Sequence, residues 1–296
     1  MKSARWFIAV VVALPLGAAF AYGQSAEEKA ATIAYLRSLQ VSDGGFVQAL
    51  SQDGKAVSGL RASTAAIRAL NYFRGQPKDK EGCIQFVERC FDAQSGGFAD
   101  HPGGKPDVVV TAVGLMALTA LKLPADNYRE KAIAYLIENA HAFEEVRMAA
   151  AGLEAIQGRS PQAAAWLKQV AEMRNAYGTY GRGDGQARDT ASAVVTILRL
   201  GGTVEHRDRV IQALREGQRR DGGFGQEGSA GSELESSYRI MRAFFMLRQR
   251  PDVRRLRGFV AHCRNADGGY GLAPGKPSGA GPTYYAASIL HWLGPE

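Results

Sequence analysis

The sequence is poor in the residues that staple or metallate a small scaffold. It has 3 cysteines in 296 residues, too few for a disulfide framework. Cys83 and Cys90 are seven positions apart, about 10 Å along a helix, too far to bridge each other. No CxxC and no Cys/His pair at zinc spacing occurs. Long apolar runs are also missing, the single exception being residues 6–21, which excludes a polytopic membrane protein. No stretch alternates apolar and polar residues as a half-buried strand does, so sheet-based folds are excluded. Acidic charge is in deficit: 36 Lys+Arg stand against 29 Asp+Glu, a formal net charge of +7. That surplus favours anionic partners, but no nucleic-acid-binding motif accompanies it, and nucleic acid is not expected as a partner. What is present is an apolar fraction of 46% and 35 glycines, the composition of a globular chain.

The apolar run is read as an address. Lys2 and Arg5 precede it, Pro15 interrupts it, and the small residues Ala19 and Ala21 follow. This order of charged, apolar and small residues is that of a secretory signal peptide, with cleavage after Ala21 or Gly23. An uncleaved single-span anchor is the alternative reading. Residues 1–23 are therefore set apart from a domain over 24–296. The chain is expected to be exported, to a periplasm, a cell surface or the medium, with no transmembrane segment in its mature form.

The rest of the chain repeats. Turns of the form QVSDGGF (40–46), DAQSGGF (92–98), AYGTYG (176–181), RRDGGFG (219–225) and NADGGYG (265–271) recur. Their aromatics Phe46, Phe98, Tyr180, Phe224 and Tyr270 are 52, 82, 44 and 46 residues apart. The long gap holds a shortened copy, 129–157, without a glycine turn. Before each turn runs an amphipathic helix, and after it a second, Ala-rich one. Ser25 and Glu28 read as a capping box for the first helix, with Ile33, Leu36 and Leu39 on one face. The glycines end each first helix because glycine takes left-handed angles without steric cost. The pattern predicts six helical pairs, about twelve helices, in a stacked all-α repeat architecture.

These Gly-Gly-aromatic turns and Ala-rich second helices resemble the prenyltransferase β-subunit and squalene–hopene cyclase superfamily. The resemblance spans roughly 26–294 and implies a closed α/α toroid of six inner and six outer helices around a central cavity. It also implies chemistry, against which the residues were compared. The prenyltransferases hold zinc with an Asp, a Cys two residues on and a distant His. The matching positions here are Glu235-Ser236-Ser237-Tyr238 and Thr283-Tyr284-Tyr285-Ala286, so Cys has become Ser and His has become Ala. His291 lies too far around its helix to substitute. The basic residues that would hold a diphosphate are replaced by Ser229 and Ser232, beside Glu227 and Glu233. Glu235 reads instead as the N3 member of a capping box on Ser232. The cyclases protonate substrate with DxDDTA, where this chain has Gln186-Ala187-Arg188-Asp189-Thr190-Ala191. Arg188 stands in the acid's place and is no proton donor; Asp189 reads as a helix N-cap. Gly82-Cys83-Ile84-Gln85 is not the GCGEQ of the thioester relatives. No metal and no cofactor are expected.

Other constellations read as structural. Asp43, Asp221 and Asp267 recur at one turn position and read as turn-formers. His262 beside Cys263 reads as a helix end. Eight arginines between Arg239 and Arg264 form a tract that is either a solvated outer face or a dock for a protein partner or anionic surface. One feature suits a cavity. Tyr238, Arg242 and Phe245 share one helical face, and Tyr285, Ile289 and Trp292 share another. Facing inward, they form an aromatic wall with one guanidinium, suited to an apolar, isoprenoid-like or extended peptide ligand; packed between helices, they are core. The leading expectation is a degenerate, non-zinc toroid that binds such a ligand through Tyr238, Arg242, Phe245, Tyr285 and Trp292. An active prenyltransferase resembling a geranylgeranyltransferase β-subunit, and an interaction scaffold using the arginine tract, are the alternatives.

Overall fold

The first helix starts where a side chain satisfies its free amides. Ser25 Oγ accepts from the Glu28 amide, and Glu28 reaches back to the Ser25 amide, the expected capping box. The computed structural model describes residues 24–51 and 56–294, and the 1–23 leader read from the sequence lies outside the described residues. Among the described residues there are twelve α-helices: α1 Ala26–Ser38, α2 Leu60–Tyr72, α3 Lys80–Arg89, α4 Val108–Leu121, α5 Asp126–Asn139, α6 Phe143–Ala155, α7 Ala163–Glu172, α8 Gln186–Arg199, α9 Arg207–Glu216, α10 Leu234–Met246, α11 Val253–His262 and α12 Ala280–Leu293. None of them is long and apolar enough to cross a membrane.

The even-numbered helices form an inner ring in chain order, and α12 returns to pack on α2. Ring contacts close that seam, with Tyr72 against His291 at 4.6 Å and against Tyr284 at 6.4 Å between centroids. Hydrogen bonds cross it as well: the Ala280 amide donates to Gln48 O at 2.8 Å, and the Thr32 hydroxyl donates to Gly268 O at 2.8 Å. The same amide-to-carbonyl link joins other neighbours, Leu60 to Asp100 and Leu234 to Leu272, each at 2.8 Å. The chain is therefore a closed α/α toroid.

The glycine turns weld outer helices to the ring. The first glycine of each turn has a φ between +81° and +92°, which an L side chain rarely adopts. The aromatic after the turn is buried in every case. Its amide is held by a hydroxyl on the next inner helix: Phe46 by Ser63, Phe98 by Thr111, Tyr180 by Thr190, Phe224 by Ser237 and Tyr270 by Thr283, at 2.9–3.1 Å. Each bond satisfies a buried donor that has left helical structure. The third pair does without the turn, as expected. The Glu145 carboxylate instead accepts from the His141 and Ala142 amides, both at 2.9 Å, and so starts α6 directly after residues 140–142.

Two capping expectations are corrected. Ser232 does not cap α10, because its hydroxyl donates to Asp221 at 2.7 Å. The same clasp joins Ser58 to Asp43 and Ser278 to Asp267, and it leaves Glu233 at the N-cap position. Asp189 is not an N-cap either. A 3-10 turn, Gly183–Gly185, leads the chain into α8 four residues early, so Asp189 lies inside its first turn. The turn aspartates do act as turn-formers, accepting the amides of Gly45, Gly223 and Gly269.

Candidate functional site: a charged lumen

The inner helices enclose a lumen with two connected parts. The larger is about 540 Å³ and the smaller about 360 Å³, and Arg68, Met116, Ala151, Arg199 and Tyr238 line both. These volumes lie in the range of small-molecule sites. One side is apolar, formed by Val109, Val113 and Met116 of α4 and Met148 of α6. The other is charged, and far more so than the single guanidinium expected from the sequence. Arg61, Arg68, Arg147, Arg199, Arg239 and Arg242 line the lumen with Glu144, Glu154 and Glu235.

The charges sort into two groups. In the first, Glu144 accepts from Arg147 and Arg239, and Glu235 accepts from Arg239 at 2.8 Å and Arg188 at 3.3 Å. In the second, Glu154 accepts from Arg199 and from Arg242, both at 2.9 Å. Burial opposes the charge on Glu144, but Arg147 and then Arg239 outweigh it and bring its pKa to about 2. A carboxylate with a depressed folded-state pKa stabilises above its ordinary value and loses that contribution as pH falls through the folded one. Urea unfolding of Glu144→Gln is therefore expected to show a weaker loss of stability between pH ~4.5 and ~2 than the unaltered protein.

The aromatic residues singled out from the sequence meet in one stack. Tyr238 lies 5.0 Å from Tyr285 and 5.3 Å from Trp292, Phe245 lies 5.8 Å from Trp292, and the Arg242 guanidinium sits 5.4 Å over Trp292. Tyr238, Tyr285 and Arg242 reach the lumen. Trp292 backs them from behind, and Phe245, 47% exposed, faces out beyond it. Ile289 is fully buried core. Among the residues missed by sequence reading are Arg68, Arg199 and Glu154, each on a different inner helix. Within its own helix each is one charge among others; only ring closure aims the three at one space.

Tyr238 and Tyr284 share a hydrogen bond of 3.0 Å between hydroxyls. Burial opposes ionisation of both phenols. For Tyr238 it is outweighed by Arg68, the Tyr284 hydrogen bond, Arg199 and Arg242, which bring it below the ordinary phenol value. Tyr284 is held above that value, burial leading.

The positions matching the zinc ligands do not fit a metal. Glu235 is engaged by two guanidiniums. The Ser237 hydroxyl receives the Phe224 amide and donates to Glu233 O at 2.8 Å, and Ala286 has no donor atom. Among the described residues no three His, Cys, Asp or Glu side chains cluster as ligands would. The cysteines are buried and free, with burial pushing each thiol up to about 12. The arginine tract is largely structural: Arg239 and Arg242 face the lumen, Arg255 donates to Arg219 O, Arg257 is buried and Arg264 pairs with Glu28. Arg248, Arg250 and Arg254 remain exposed.

Comparison with known proteins agrees with this architecture. The family model described as "Prenyltransferase alpha-alpha toroid domain" matches residues 3–75, 63–137 and 146–296. No curated protein sequence matches the chain. Among solved structures, Candida albicans protein geranylgeranyltransferase-I complexed with GGPP is similar at a TM-score of 0.67 with 14% identity, over 79% of this chain and 83% of that one. The type II terpene cyclase MstE from Scytonema, in complex with geranylgeranyl dihydroxybenzoate, is similar at 0.62 with 10% identity, over 90% and 95%. A structure described only as a glycosidase is similar at 0.56 with 12% identity, over 92% and 98%. At these identities the likeness is one of fold.

Proposed function

Because the chain belongs to the prenyltransferase α/α-toroid family, we propose that it is an exported, metal-independent member whose lumen binds an amphipathic ligand with an isoprenoid-like apolar part. The observation that carries this reading is the two-sided lumen, apolar along α4 and α6 and charged along α6, α8 and α10. A fully apolar ligand would leave the arginines desolvated without compensation, which is unfavourable. A fully polar one would waste the Val109–Val113–Met116 wall. Two similar toroids are described with geranylgeranyl compounds, which supports the apolar half. Export is supported by the leader-like residues 1–23 and by buried cysteines that need no reducing compartment.

Zinc-dependent prenyl transfer has no support from the positions matching the zinc ligands, since the Glu235 carboxylate is taken by two guanidiniums, and a hydroxyl and a methyl stand at Ser237 and Ala286 where a thiolate and an imidazole would hold the metal. Native mass spectrometry of the mature protein, with zinc analysis of the same sample, tests the reading. The expected result is a chain beginning near Gln24, substoichiometric zinc and a co-purifying small amphiphile. Stoichiometric zinc lost on Glu235→Ala would overturn it in favour of an active transferase.

A further inference from the structure

Tyr238 and Tyr284 are two phenols in unlike surroundings, joined by one hydrogen bond. Their hydroxyls are 3.0 Å apart, and both side chains line the larger part of the lumen. The charge of three guanidiniums acts on Tyr238: Arg68 of α2, Arg199 of α8 and Arg242 of its own helix. Tyr285 of α12 lies 5.0 Å from its ring, and Tyr72 of α2 stacks on Tyr284 at 6.4 Å. Arg199 and Arg242 share one carboxylate, Glu154 of α6. Arg68 has no carboxylate within 4.0 Å among the described residues; its guanidinium lies 4.6 Å over the Tyr284 ring, and its Nη1 reaches Met116 Sδ at 3.2 Å. Positive charge is thus in surplus beside the Tyr238 hydroxyl, where a developing anion would be stabilised. These arginines bring Tyr238 below the ordinary phenol value, while burial holds Tyr284 above it. Neighbouring groups whose ionisation is driven apart in this way form an acid–base pair.

We propose that Tyr238 is the catalytic base of an enolisation activity: it removes a proton from the carbon beside the carbonyl of an isoprenoid-tailed ketone, whose carbonyl oxygen Arg68 receives. The inference rests on the lumen-binding reading and adds a reaction to it. The step balances without a cofactor. The Tyr238 oxygen, as phenolate, takes the proton. The electrons of the broken C–H bond form a carbon–carbon double bond, and those of the carbonyl π bond pass to its oxygen. The enolate gains the charge that the phenolate gives up, and the fixed guanidiniums stabilise it at either place. Tyr284 donates its hydrogen bond to the Tyr238 oxygen and holds it ionised, so it is a positioning residue. Return of a proton to the same carbon completes an exchange. Where the ligand has a double bond one carbon further on, return to the far end of that bond shifts it into conjugation. A ketone fits better than a carboxylate, which already carries its charge and would neutralise Arg68 instead of drawing on it.

Hydrogen exchange into geranylacetone, an isoprenoid methyl ketone, tests this. In deuterium oxide the mature protein is expected to exchange the hydrogens beside the carbonyl about 10²-fold faster than buffer alone, read by mass spectrometry. Tyr238→Phe keeps the ring and removes only the oxygen. It is expected to return exchange to the buffer rate while calorimetry shows geranylacetone still bound. In the unaltered protein the rate should rise with pH as Tyr238 ionises. Tyr284→Phe and Arg68→Met each withdraw a group that favours the phenolate, so the rise should move to higher pH, and Arg68→Lys should restore it in part. A merely structural role for Tyr284 and Arg68 would leave the pH profile in place, and that result would overturn the pairing. Geranylacetone bound without acceleration, or with acceleration that Tyr238→Phe leaves intact, would overturn the enolisation activity and leave the lumen-binding reading standing. Absence of geranylacetone binding would overturn the lumen-binding reading itself.

Discussion

Gly268→Ala is expected to destabilise the protein by about 2–5 kcal/mol, the sum of left-handed strain and steric overlap. Gly268 has φ +88°, and a Cβ there would sit 2.5 Å from Ala31 O, a backbone atom of α1 that cannot rotate away. The glycine lies on the seam between the last repeat and the first. Its own carbonyl accepts from Thr32 Oγ1 at 2.8 Å, so relief of the clash would pull α1 from the ring. For a domain of this size the effect corresponds to a fall in Tm of roughly 5–15 °C. Gly231→Ala is the control. Nothing lies within 4 Å of its Cβ position and its φ lies outside the left-handed region, so its effect should stay within ~0.5 kcal/mol. Thermal melts of the two variants separate a closed ring from an open superhelix, in which Gly268 would meet nothing and only the left-handed strain of about 1–3 kcal/mol would remain.

That seam was legible in the sequence only in part. The Asp-Gly-Gly-aromatic turns announced both the repeat and the positive φ, because so few residues tolerate that backbone. The missing turn of the third repeat was equally plain. The hydroxyl partners of the turns were not recognised, although Ser237, Thr283 and Thr190 stood within the very strings compared with the zinc and acid motifs. A Ser or Thr 13 residues after the aromatic, as at Phe98, Phe224 and Tyr270, was the available signal. Ser232 misled because Ser-x-x-Glu has the form of a capping box wherever it occurs, and local spacing cannot reveal that Asp221 takes the hydroxyl first. The aromatic stack was legible from helical spacing. The arginines facing it were not, since Arg68, Glu154 and Arg199 are 86 and 45 residues apart in sequence and meet only across the ring.

Glu154→Gln is expected to destabilise the ligand-free protein by about 1–3 kcal/mol. Loss of one partner of a buried pair ordinarily costs about 3–5 kcal/mol, and this is discounted because the Glu154 side chain is 38% exposed and partly screened. The variant leaves Arg199, whose side chain is 10% exposed, facing Arg242 and Arg68 with no carboxylate among them. Adding Arg199→Gln should recover part of the loss, giving a coupling energy that exceeds the additivity error of about 0.5 kcal/mol in a double-mutant cycle. Denaturant midpoints of the four proteins measure it. Purely additive effects would mean that the lumen charges are independently solvated and that this part of the lumen is open to bulk water.

The lumen itself is tested most directly by plugging it. Ala151 of α6 lines both parts of the lumen, and a larger side chain there enters open space rather than packed core. Trp292 reports from behind Tyr238 and Arg242, so in the mature protein carrying Trp166→Phe its fluorescence should change saturably on titration with farnesol, an isoprenoid amphiphile. In the same background Ala151→Phe is expected to abolish that change while the far-UV circular dichroism and Tm are retained. A saturable response undiminished by the plug would contradict the account and move binding to the outside of the ring.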